Sequence, residues 1–120
     1  MICDTSFLMV FANVPIKGME ELEARFGKNH FLIPTVVIRE LNKLASYAGV
    51  KRAKEANLAL DLISKFKTVQ LDSAIADDAI IDYASKRRCM VATIDDQLKN
   101  KLKRNGINVL TLSDNKLIVV

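Results

Sequence analysis

Short apolar runs alternate along this chain with stretches of helical period, and that alternation restricts the fold more than any other feature. Residues 1–3, 30–33, 68–71, 89–92 and 108–112 are runs of strand length, and a last short one occupies 117–119. Between them Met19, Leu22 and Phe26 recur at helical spacing over 19–26, as do Ala56, Leu60 and Ile63 over 51–66. Ile75, Ala79, Ile80, Tyr83 and Ala84 form an apolar face over 74–86. Further helices are expected at 7–12, at 35–48 with Thr35 as the cap after Pro34, and at 96–104. Gly27, Gly49 and Asn105-Gly106 act as stop signals. Strands separated by helices require right-handed crossovers, so the sheet is mainly parallel and covered on both faces. The expectation is an α/β fold of three layers, α/β/α, with a sheet of about five strands and a single domain over 1–120.

Composition supports a globular chain. The 120 residues are 50% hydrophobic and 27% charged, enough apolar material for a core without disulfide or zinc support. The longest apolar runs are too short to cross a bilayer and no charged stretch precedes a signal-like segment, so a cytoplasmic protein is expected. Cys3 and Cys89 stand alone in apolar runs without C-x-x-C spacing and read as buried free thiols. The net charge of +4 is unevenly spread, with Lys86-Arg87-Arg88, the group Lys99, Lys101, Lys103 and Arg104, and an earlier group of Lys51, Arg52 and Lys54. Each group is either a solvated helix surface or part of a surface for a polyanion.

Acidic residues fall where a parallel sheet gathers functional groups, beyond the carboxyl ends of its strands. Asp4 follows the first strand, and it, Thr5 or Ser6 could equally cap the helix that comes next. Asp95 follows Val91-Ala92-Thr93-Ile94 at the end of the fourth strand. Glu40 shares a helical stripe with Val36 and Leu44, with Val37 three residues before it, so it is either an inward carboxylate or a border residue reaching Lys43 or water. Asp77 and Asp78 suit the first turns of a helix, but Asp82 lies one turn beyond Asp78, and that repulsion calls for a cation. An all-oxygen donor set selects a hard ion, Mg²⁺ or Mn²⁺, over zinc. Such an ion activates water for phosphodiester cleavage without a side-chain nucleophile, and the lone His30, in a strand-like run, is not needed as a base.

Four fragments, Ile-Cys-Asp-Thr-Ser-Phe-Leu, Ile-Pro-Thr-Val-Val-Ile-Arg-Glu-Leu, Asp-Ala-Ile-Ile-Asp-Tyr-Ala and Val-Ala-Thr-Ile-Asp, together resemble the PIN domain. That family comprises small metal-dependent ribonucleases, among them VapC-type toxins and rRNA-processing nucleases. The resemblance implies an acidic quartet of Asp4, Glu40, Asp78 and Asp95 that holds Mg²⁺ or Mn²⁺, with Asp4 and Asp78 as direct ligands and Glu40 and Asp95 acting through water or on a second ion. Ser6 would support Asp4, Thr93 would position Asp95, and Asp77, Asp82 and Asp96 stand as reserve acids. Lys86, Arg87, Lys99 and Lys103 would hold the RNA backbone. Residues 89–107 are similar to the archaeal rRNA-processing-like branch, and no zinc-ribbon cysteines follow them. The partners implied are RNA with either an antitoxin protein or a ribosomal precursor particle, and PIN proteins often form homodimers. Two other classes compete: a non-catalytic PIN fold that binds RNA or protein, and a receiver-like signalling domain with Asp72 as phosphoacceptor. The latter lacks a Lys in Val109-Leu110-Thr111-Leu112.

Overall fold

In the computed structural model, which describes residues 1–14, 17–26, 31–71 and 75–120, the centre of the sheet explains why its strands read as unbroken apolar runs. The elements in chain order are β1 (Ile2–Cys3), α1 (Thr5–Asn13), α2 (Met19–Phe26), β2 (Leu32–Pro34), α3 (Thr35–Tyr47), α4 (Val50–Ile63), β3 (Lys67–Val69), α5 (Ala76–Arg87), β4 (Val91–Ala92), α6 (Asp96–Arg104), β5 (Val109–Ser113) and β6 (Lys116–Val119). Ile2, Cys3, Val91 and Ala92, which make up β1 and β4, are all fully buried. Helices cover both faces of a mainly parallel sheet, so side chains on either face of a central strand must be apolar.

The sheet order is β3-β2-β1-β4-β5-β6. The first five strands are parallel, and β6 returns antiparallel to β5. The β5–β6 turn places Asp114 and Asn115 at φ 51° and 60°. Two successive left-handed residues match the twist of the strands they join, and Asp and Asn tolerate that conformation best among residues with a side chain. The chain begins in the middle of the sheet, moves outward through β2 and β3, and then crosses back to lay β4 on the other side of β1. The direction of winding therefore reverses between β1 and β4, which opens a crevice at their carboxyl ends.

Aromatic rings link three elements of the core. Phe7, Phe11, Phe31 and Phe66 form a chain of rings with centroid separations of 5.3, 5.8 and 5.1 Å, joining α1 to the start of β2 and the end of α4. Ala56 and Ala59 are fully buried on α4, which packs on α1 and α3. Asn13 closes α1 and ties it to α4, its Nδ2 donating to the Met9 carbonyl at 2.7 Å and the Glu55 carbonyl at 3.1 Å.

Several element ends differ from the sequence reading. Helix α1 starts at Thr5 rather than residue 7 because Asp4 itself is the cap. Pro34, not Thr35, precedes the first turn of α3. Thr35 instead accepts the Leu71 N–H at 3.1 Å and donates to the Leu71 carbonyl at 3.3 Å, fastening the chain after β3 to α3. Helix α5 ends on Arg88 at φ 52°, and β4 begins only at Val91. Cys89, between them, is half-buried rather than buried; Cys3 is buried, and both are free thiols. Gly27, His30, Asp72 and Ala74 lie outside the described residues.

Candidate active site

Strands β1 and β4 pair with Ile2 opposite Val91 and Cys3 opposite Ala92, so Asp4 and Thr93 leave the sheet side by side. Asp4 is only 7% exposed. Its Oδ1 accepts the Phe7 N–H at 3.0 Å and the Ser6 hydroxyl at 2.9 Å, and its Oδ2 accepts the Thr93 hydroxyl at 2.6 Å. The Thr93 oxygen in turn accepts the Asp95 N–H at 3.0 Å, and the Ser6 oxygen accepts the Ile94 N–H at 3.3 Å. Each hydroxyl therefore bridges the end of β4 to the Asp4 carboxylate. Asp95 caps α6, its Oδ1 accepting the N–H groups of Gln97 and Leu98 at 2.8 and 3.3 Å. Both aspartates are helix caps and both line the crevice, so capping leaves Asp4 at the carboxyl ends of the strands.

The structure places Asp77, and not Asp78 of the expected quartet, against the crevice. The crevice, about 90 Å³, is bordered by Asp4, Thr5, Ser6, Glu40, Asp77 and Asp95; Asp78 is exposed and not part of its lining. Ile80 and Ala84 are the buried residues of α5, and Asp77, three positions before Ile80, shares their side. Asp78 is turned a further ~100° around the helix, onto the side of Asp82. Asp82 pairs with Lys86 at 3.1 Å, so a cation from the protein itself answers the acidic stripe that called for a metal. The inward phase of Ile80 and Ala84 was the signal that favoured Asp77. Glu40 is exposed, as its border reading has it, and it stands on the wall that α3 gives the crevice.

The basic residues expected at the rim are dispersed. Helix α5 starts at the crevice, so Lys86 and Arg87, at its other end, lie roughly 15 Å along the axis from Asp77. Lys86 is held by Asp82, and the Arg87 guanidinium sits 5.4 Å from the centre of the Tyr83 ring. On α6, Lys99 pairs with Asp96 at 3.1 Å and Lys103 is exposed in the last turn.

Negative charge is concentrated in the crevice, where Lys101 acts on Asp77 from outside the lining. Among the described residues no Lys or Arg lines it. Burial pushes the Asp4 carboxyl from its ordinary 3.8 up to about 6, against the opposing hydrogen bonds from Thr93, Phe7 and Ser6 and with added repulsion from Asp95. Burial also raises Asp77, with Asp95 and Asp78 adding to it and Lys101 opposing.

Residues 1–115 match the family model of the PIN like domain. This chain belongs to the PIN-like domain family. It is similar to Ribonuclease VapC9 of Archaeoglobus fulgidus, with 38% identity over 95 residues that cover 79% of this chain and 70% of the relative. It is also similar to Ribonuclease VapC4 of Methanocaldococcus jannaschii, 32% identical over 117 residues that cover 94% of this chain and 89% of the relative.

The crevice of this PIN-like domain fits a hard divalent cation in the chemistry of its donors, four carboxylates with no His or Cys among them. Thr5 adds an independent sign: its Oγ1 is buried without a hydrogen-bond partner among the described residues, and Thr5 lines the same crevice. A buried hydroxyl in that state has room to accept a water or an ion as its partner. Among the described residues no three Asp, Glu, His or Cys side chains already stand close enough to hold an ion between them. Mg²⁺ keeps several of its waters and takes one or two protein carboxylates directly, which suits acids spread around a crevice.

Proposed function

We propose that this PIN-like domain is an endoribonuclease of the VapC type that depends on Mg²⁺ or Mn²⁺. The observation that carries the reading is the meeting of Asp4, Glu40, Asp77 and Asp95 in one crevice whose lining, among the described residues, holds no Lys or Arg. Asp4, Asp77 and Asp95 would hold the ion, and Glu40 would act through water. When bound, the ion supplies positive charge for the scissile phosphate and lowers the pKa of an attacking water. The chain's own part is to hold the acids still. Thr93 and Ser6 fix both Asp4 oxygens, the first turn of α6 fixes Asp95, and the helical phase of α5 presents Asp77. Burial makes the Asp4 carboxylate costly when ionised and alone, so it gains most from a cation.

The printed names of both relatives support RNA as the substrate and favour a VapC-type nuclease, with a protein antitoxin as partner, over processing of a ribosomal precursor. A cytoplasmic site of action accords with this, and among the described residues no helix is long and apolar enough to cross a membrane. The test is cleavage of a mixed single-stranded and structured RNA pool with Mn²⁺, with Mg²⁺ and with chelator. Cuts should need the ion, disappear in Asp4→Asn, Asp77→Asn and Asp95→Asn, and persist in Asp78→Asn. Cuts that survive Asp4→Asn and Asp77→Asn would overturn the assignment.

A further inference from the structure

A groove of about 590 Å³ continues from the acidic crevice and shares Glu40 and Asp77 with it. One wall is α3, where Arg39 and Lys43 stand one turn apart with Glu40 beside them. The other is the start of α5, where Ile75 is 58% exposed. Among the described residues, the charged side chains of the crevice lining are all carboxylates, whereas the groove adds two cations beside Glu40 and an exposed apolar side chain opposite.

We infer that this groove is the path of single-stranded RNA leaving the scissile phosphate, with Arg39 and Lys43 on the next backbone phosphates and Ile75 under a base. The inference rests on the nuclease reading above. An RNA strand carries a charge on every nucleotide, and only the phosphate at the cut can be neutralised by an ion among the acids. The neighbouring phosphates need cations just outside the crevice, and Arg39 and Lys43 are the ones that line its continuation. Their spacing of one helical turn offers two successive positive charges to one strand. A cleft between two helices admits a strand with its bases turned outward, whereas a duplex keeps its bases stacked inside. An exposed apolar side chain gives such a base a contact that tolerates any sequence. Lys86 and Arg87, at the far end of α5, have no part in this path.

The test separates binding from cleavage. A labelled single-stranded RNA of about ten nucleotides is titrated in chelator, where no ion-dependent cut occurs, against the natural chain, Arg39→Ala/Lys43→Ala, Arg39→Gln/Lys43→Gln and Lys86→Ala/Arg87→Ala. Both groove variants should bind at least about tenfold more weakly. Their plots of log affinity against log salt should be flatter by about 1.4, the loss of two single-strand phosphate contacts at about 0.7 each. The Lys86/Arg87 variant should stay within about twofold of the natural chain. Groove variants that bind as well as the natural chain, an equal loss in the Lys86/Arg87 variant, or a natural chain that does not bind overturns the inference. Adding Mn²⁺ to the same RNA then tests the nuclease reading on its own: binding that depends on Arg39 and Lys43 without any cut leaves the groove standing and removes the enzyme.

Discussion

Replacing Asp4 with Asn should make the ion-free protein more stable while abolishing its activity. Asn is as good a helix cap as Asp, and its Oδ1 can still accept the Phe7 N–H. The Ser6 and Thr93 hydroxyls can turn to accept from the new amide in place of donating. The buried charge is what disappears. A rise from 3.8 to about 6 corresponds to roughly 3 kcal/mol at neutral pH, at about 1.4 kcal/mol for each tenfold change in the equilibrium, and incomplete solvation of the amide reduces the net gain to about 1–3 kcal/mol. Protonated Asp4 carries no such penalty. As pH rises above about 4 the unfolded chain loses its proton while the folded chain keeps it until about 6, so stability from this residue falls across that window and levels off above it. Urea unfolding at pH 7 and at about pH 4.5, in chelator, measures both terms, and the advantage of Asp4→Asn should shrink by roughly two-thirds at the lower pH. A variant no more stable than the natural chain at pH 7, or an advantage independent of pH, would refute the claim that burial governs this carboxylate.

Mn²⁺ at about a hundred times its dissociation constant should stabilise the natural chain by about 2.7 kcal/mol, seen as a raised thermal midpoint, and leave Asp4→Asn nearly unmoved. Thr5→Val removes the buried hydroxyl that has no partner within the described chain, so it should raise stability by up to about 1 kcal/mol and slow RNA cleavage in the same preparation; lowered stability would show the hydroxyl to be structural. Thr93→Val strips Asp4 of its shortest hydrogen bond and leaves the Asp95 N–H unpaired, which should cost about 1–3 kcal/mol in chemical denaturation. The same variant should move the Asp4 titration, followed by carboxyl NMR, to higher pH.

Asp4 and Asp95 were legible in the sequence because strand, acid and helix follow one another there, and a parallel sheet allows one place for the join. Glu40 stood out as a charge on an apolar stripe, and the structure keeps it exposed at the border of the crevice. The choice between Asp77 and Asp78 depends on the rotational phase of α5, and the apolar face at 74–86 left that phase loose. It counted Ile75, which is exposed, alongside Ile80 and Ala84, which are buried. The basic clusters were visible as composition, but which end of a helix approaches the site is a property of topology. Residues 86–87 belong to the crevice's own helix and still lie at its far end. Two-residue strands such as β1 and β4 mark the limit of pattern reading, since burial on both faces removes the alternation that would have bounded them.

The hydrogen bond from Thr93 to Asp4 joins residues 89 positions apart in the chain. During synthesis, β1 and α1 emerge first, and Asp4 can serve at once as the cap of its helix. It lacks its neighbour until β4 has been made and has inserted beside β1, a non-local pairing that forms late because the intervening loop must close first. A nascent chain stopped short of residue 93 would therefore carry Asp4 as a helix cap and nothing more. Asp4, Glu40 and Asp77 are in the chain before β4, but the crevice is completed only when Thr93 and Asp95 arrive beside Asp4.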